Sequence, residues 1–299
     1  MKELFIPKNF SPDTLALIAR VNVILDEYRA QGYDLSLRQL YYQLVARGFI
    51  PNSLQSYKRV GGVVSDARLA GKVDWDMIKD RGREQVVPSH WSGLSSILRS
   101  AAHSFRIDKW EDQEYYVMAM VEKQALEGVL EPVCRRLDIP FIANKGYSSS
   151  SSMYEIGKGM LEQLENDKRV VVLYLGDHDP SGIDMTRDVR ERLNLFAGFE
   201  MDEEGIEVER LALNYDQVEA LNPPPNPAKE TDARFAGYVE EFGETCWELD
   251  AIEPNALAEI VETAVFRYRD LDLWSAAVAR EQAMRDELET LARNYGKGQ

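Results

Sequence analysis

Cysteine is scarce in this chain: Cys134 and Cys246 are the only two in 299 residues, and neither belongs to a CxxC pair. That excludes a disulfide framework and a cysteine-built zinc site, and it suits a reducing cytoplasm. Long apolar runs are missing too. No stretch approaches the roughly 20 residues that a membrane helix needs, so no membrane partner is expected. The start, Met1-Lys2-Glu3-Leu4-Phe5-Ile6-Pro7-Lys8-Asn9, lacks the apolar core of a secretory signal. A GxxxxGK[ST] segment is also absent, so any ATP-driven step calls for a separate ATPase subunit.

Positive charge is in short supply overall, with a net charge of −16, which at first argues against a nucleic-acid partner. Its distribution says otherwise. Up to Phe105 there are 14 Lys and Arg against 10 Asp and Glu, whereas the remainder carries 21 against 41. One part can touch phosphates, and the other is acidic, whether as a solvated surface or as a functional site. With 44% hydrophobic and 29% charged residues the chain has an ordinary globular composition, and its length fits about two domains.

The basic part reads as helical. Ser11 and Pro12 open a helix whose apolar residues, Leu15 to Tyr28, recur at helical spacing up to about Ala30. A second helix runs from near Ser36 to Gly48 and a third from Leu54 to Leu69. Lys72 to Ile78 then reads as a short extended ribbon, and Trp91 to Phe105 as a helix bridging to the acidic part. Three helices and a ribbon are the order of a winged helix-turn-helix over residues 1–105. The segment from Leu35 to Arg83 holds nine Lys and Arg against four Asp. Lys58, Arg59, Arg68, Lys72, Lys79, Arg81 and Arg83 are therefore the candidate DNA contacts, acting through release of phosphate counterions. A merely solvated helix face is the alternative.

Residues 106–299 change pattern to alternating strands and helices, which implies an α/β unit with a mostly parallel sheet. Expected strands are Tyr115–Val121, Ile139–Ala143, Val170–Leu175 and Val208–Leu213. Expected helices are Gln124–Leu137, Met153–Leu164 and Ile183–Leu195. The run Ser148 to Ser152 reads as a flexible loop, and Asn222 to Pro227, with four prolines, as an irregular one. Helices close the chain.

The chemistry gathers at strand ends. Val170 to Leu175 leads into Gly176-Asp177-His178-Asp179-Pro180-Ser181-Gly182, which places two carboxylates at the carboxyl end of a buried strand, where α/β sheets bind ligands. Side-chain alternation leans Asp177 and Asp179 the same way and His178 toward packing. Glu122 ends the first strand, and if the two strands are neighbours the three carboxylates share an edge. Like charges so placed call for a hard cation, Mg²⁺ or Mn²⁺, with Glu122, Asp177 and Asp179 as metal ligands and Glu122 also available for acid/base work. Ordinary turn chemistry for Asp-Pro-Ser-Gly and a helix N-terminal role for Glu122 are the alternatives.

Val121-Glu122-Lys123, Asn144-Lys145-Gly146-Tyr147 and the DxDxxG segment together resemble the Toprim domain, and most closely the family of the topoisomerase VI A subunit and the meiotic double-strand-break transesterase. That family joins a winged helix to a Toprim domain in this order. Arg38-Gln39-Leu40-Tyr41-Tyr42 resembles its R-x-x-[YF]-Y nucleophile motif. The resemblance implies Tyr42 as the catalytic nucleophile, Lys145 as a DNA contact, a homodimer in which Tyr42 of one subunit acts beside the metal site of the other, and magnesium-dependent DNA cleavage by transesterification. Arg38, four positions before Tyr42 on the same helix face, is the candidate cation beside it. Two other readings stand beside it. One is a hydrolytic Toprim nuclease in which Tyr42 only packs the core; the other is a non-cleaving DNA-binding subunit of a larger assembly.

Overall fold

The computed structural model describes residues 2–78, 88–144, 150–199 and 205–296. Among them the chain is α/β, with eleven α-helices and a four-stranded parallel sheet. In chain order the elements are α1 (Pro12–Ala30), α2 (Leu37–Ala46), α3 (Leu54–Leu69), α4 (Leu94–Ser104), β1 (Tyr115–Val121), α5 (Glu127–Leu137), β2 (Phe141–Ala143), α6 (Ser150–Glu165), β3 (Arg169–Leu175), α7 (Pro180–Ala197), β4 (Ile206–Ala212), α8 (Tyr215–Leu221), β5 (Asn226–Pro227), α9 (Phe235–Phe242), β6 (Thr245–Cys246), α10 (Pro254–Phe266) and α11 (Leu271–Gly296).

Helices α1 to α3 form a core of their own. Ser11 caps α1 through Thr14 N–H, and Ser36 with Gln39 forms a capping box on α2. Leu17, Val21, Ile24, Leu40, Leu44, Val60 and Val64 pack together between them. The expected ribbon after α3 is not a hairpin among the described residues. Ile78 pairs with Leu35 through a single bridge, and Arg68 holds the segment by donating to the carbonyls of Trp75, at 2.7 Å, and Ile78.

The sheet order is β2-β1-β3-β4, with β1 and β3 in full parallel register from Tyr115–Arg169 to Val121–Leu175. Alternation sorts the side chains. Val117, Ala119, Val121, Val171, Leu173 and Leu175 face α5 and α10, whereas Met118, Met120, Val170, Val172 and Tyr174 face α6 and α7. Both faces are covered, which is why β3 is a continuous apolar run rather than an alternating one.

Two loop expectations and one helix start change. Ser150, Ser151 and Ser152 open α6 instead of a loop, while Ser148 and Ser149 lie outside the described residues. Asn226 and Pro227 of the proline-rich segment form β5, antiparallel to β6. Proline tolerates this edge position because it needs no ladder donor there. The expected helix from Gln124 starts with a 3₁₀ turn before becoming α-helical at Glu127. Among the described residues no helix is long and apolar enough to cross a membrane.

Candidate functional site

Parallel pairing brings the ends of β1 and β3 together, and Glu122 N–H donates to the Leu175 carbonyl at 2.8 Å. The Glu122 carboxylate turns back onto the next segment and accepts from Asp177 N–H at 2.9 Å. Burial raises its pKa, and the nearby charge of Asp179 adds to the rise.

Asp177 and Asp179 have separate attachments. Asp177 Oδ1 accepts from Leu249 N–H at 2.7 Å, and its Oδ2 lies 2.7 Å from Lys123 Nζ. Burial nevertheless pushes the Asp177 carboxyl up to about 7. Asp179 is the N-cap of α7, its Oδ1 accepting from Gly182 N–H at 2.6 Å and from the Ser181 hydroxyl at 2.9 Å. Gly182 is required by close approach: a Cβ there would sit 2.3 Å from the Asp177 carbonyl oxygen. Among the described residues no group of three His, Cys, Asp or Glu side chains is arranged to hold a metal ion.

Sequence reasoning missed the groups that knit this edge together. Lys123 follows Glu122 and meets three carboxylates: Asp177 at 2.7 Å, Glu248 at 2.8 Å and Asp250 at 3.2 Å. Arg38 reaches the same place from α2, pairing with Glu248 and placing Nε 3.0 Å from Asp250 Oδ2. Burial opposes ionisation of Glu248, but Lys123 and Arg38 outweigh it and hold the carboxyl at about 2. Burial dominates for Asp250 and raises its pKa. Arg210 on β4 donates to the carbonyls of Asp177, at 2.6 Å, and Gly182, at 2.9 Å, fixing the turn between β3 and α7. The signals were an arginine within an expected strand and a Glu-x-Asp pair after an extended segment.

Tyr42 stands at this junction. It is only 4% exposed, and the Arg38 guanidinium carbon lies 5.9 Å from its ring centroid. Burial raises the phenol pKa above its ordinary value of 10, and Glu248 and Asp250 raise it further. Tyr41 donates its hydroxyl to Asn52 Oδ1 at 2.8 Å and accepts from Ser53 N–H, a positioning role within the helical core. His178 is buried among Tyr215, Tyr238, Phe242 and Trp247, with Nδ1 2.8 Å from the Tyr238 hydroxyl, in line with its expected packing role.

No protein-family model matches the chain, and no curated protein matches it.

Of the expected DNA contacts, Lys58, Arg59 and Lys72 are at least partly exposed on or just after α3. Arg68 is half-buried, its guanidinium spent on backbone carbonyls and stacked 5.1 Å from the Trp75 ring centroid. Lys79, Arg81, Arg83 and Lys145 lie outside the described residues, as do Gly146 and Tyr147.

Proposed function

We propose that this chain cleaves DNA by tyrosine transesterification, as the winged-helix and Toprim family it resembles would imply. One observation carries the reading. Arg38 and Tyr42, singled out on α2 by their motif, meet the strand-end acids across a shared network of Lys123, Glu248 and Asp250. Residues separated by more than 200 positions have no reason in packing alone to assemble so many charges at one edge, where desolvation is costly.

In this reading the Tyr42 oxygen attacks a backbone phosphorus, its proton passing to a neighbouring carboxylate. The phosphorus–oxygen bond to the adjoining sugar breaks, the sugar oxygen takes up a proton, and the DNA end is left joined to Tyr42. Arg38 offers a planar fork of donors to the phosphate oxygens as charge builds on them.

The donor set suits Mg²⁺ in part. Glu122 and Asp179 fit: both present hard carboxylate oxygens, and among the described residues neither is in an ion pair. Asp177 fits less well, because Lys123 and Leu249 N–H engage both its oxygens. Bound Mg²⁺, or Mn²⁺, would neutralise charge on the phosphate and the leaving oxygen. A homodimer, a separate ATPase subunit and a cytoplasmic setting belong to the same proposal.

The burial of Tyr42 favours a second reading, hydrolysis by water at the same acids with Tyr42 structural. Supercoiled plasmid with Mg²⁺ or Mn²⁺, stopped in detergent, separates the two. Breaks that enter a gel freely only after protease, and that vanish in Tyr42→Phe, support transesterification. Protease-independent breaks that persist in Tyr42→Phe and vanish in Glu122→Gln support hydrolysis. DNA binding without breaks under either metal leaves a non-cleaving subunit.

A further inference from the structure

We infer that Glu248 and Asp250 are an internal stand-in for phosphate, holding Arg38 and closing residues 247–253 over Tyr42 until a nucleic-acid backbone displaces them. The choice of ligand rests on the reading above; the closed strap does not.

Residues 247–253 pass between the two halves of the chain and are fastened to both. Trp247 and His178 exchange backbone hydrogen bonds of 2.9 Å in each direction, and Leu249 N–H donates to Asp177. Leu249 packs in the core beside the sheet, Ala251 in the core of α1 to α3, and Glu253 accepts from the Tyr28 hydroxyl. Between these anchors Glu248 and Asp250 present their carboxylates to a single guanidinium and a single ammonium, those of Arg38 and Lys123. One phosphate group could meet both cations in the same fork-like manner.

The two carboxylates differ in freedom. The Asp250 side chain is fully buried, whereas that of Glu248 is 22% exposed. Arg38 is more open still, with 45% of its side chain exposed, so an incoming phosphate meets its outer face first. Exchange therefore starts at Glu248, which yields Arg38 while Lys123 still neutralises it. A strap tethered in the same chain competes at the high effective concentration of an intramolecular partner. A polyanion with several contacts overcomes it; isolated inorganic phosphate does not. Tyr42, sealed in the closed state, is thereby uncovered only on DNA.

The test uses the full chain and two readouts that need no strand cleavage. Nitration by tetranitromethane, mapped by mass spectrometry, reports access to Tyr42, with Tyr295, 60% exposed, as an internal reference. Weakening the charge-assisted hydrogen bonds from Arg38 and Lys123 in Glu248→Gln is expected to speed Tyr42 nitration about fivefold relative to Tyr295 and to tighten duplex binding several-fold. Glu287→Gln, on the exposed side of α11, controls for the loss of one negative charge and is expected to change neither. In the wild-type protein, a short duplex is expected to raise amide exchange across 247–253, where inorganic phosphate does not. Unchanged nitration and affinity in Glu248→Gln, or slower strap exchange on DNA, would overturn the inference. If the variant misfolds, the wild-type exchange experiment decides alone. Cleavage that survives Tyr42→Phe would defeat the transesterase reading and leave the strap standing.

Discussion

Burial among four aromatic side chains holds the His178 imidazole neutral, with its pKa pulled from 6.5 down to about 4. An imidazole depressed in this way takes up its proton more readily in the unfolded chain. Its contribution to stability is complete above about pH 6.5 and is lost as the pH falls toward 4, by up to about 1 kcal/mol per pH unit. Urea unfolding at pH 7 and pH 5 checks this: the drop should be smaller in His178→Phe than in the wild type, and equal drops would contradict it. Lys123 is the other residue on which much depends. Replacing it with Met leaves Asp177, Glu248 and Asp250 without their common cation, and a loss of about 3–5 kcal/mol is expected from thermal unfolding. The places of Glu122, at the end of a strand, and of Tyr42, on a helix, were legible because each is set by one element. Lys123, Glu248 and Asp250 were not, since their meaning arises only when segments 38, 123, 177 and 248–250 are brought together.

Elements explain both what the sequence disclosed and what it concealed. Strand β1 falls on its expected residues, and β3 starts one residue early, because β-branched and apolar runs bounded by turns have few other fates. Ser150, Ser151 and Ser152 misled, since serine serves loops and helix starts alike, and here they begin α6. Asp179 shows how an element can share a residue with a site. As N-cap of α7 it stabilises a helix, and as a carboxylate its charge helps to raise the pKa of Glu122. Asp179→Ala is expected to cost about 1 kcal/mol of stability through the lost cap, whereas Asp179→Asn, which keeps a capping oxygen, should cost less than about 0.5. Both should lose metal-dependent cleavage. Thermal unfolding paired with the plasmid assay checks the separation, and an active Asp179→Asn would remove Asp179 from the metal-binding proposal.

For the molecule as a whole, the uneven charge matters more than its total of −16. Lys58 and Arg59 lie on α3 with access to solvent, and if they neutralise phosphates, removing both should lower the slope of log affinity against log salt by about 2. An unchanged slope would place the DNA elsewhere. The order of a basic helical part followed by an acidic α/β part was legible from composition and periodicity alone. The seam between them was not. It is made by Arg38 on Glu248 and Asp250, by Asn52 on the Pro225 carbonyl at 3.0 Å, and by Tyr28 on Glu253, all pairings remote in sequence. That seam puts the proposed nucleophile beside the acids of its own chain. The most direct measurement is mass spectrometry of the Tyr42 peptide after incubation with duplex DNA and Mg²⁺, a detergent quench and nuclease digestion. A nucleotide phosphate joined to Tyr42, absent in Glu122→Gln, is the predicted result; cut DNA with an unmodified Tyr42 would contradict the account.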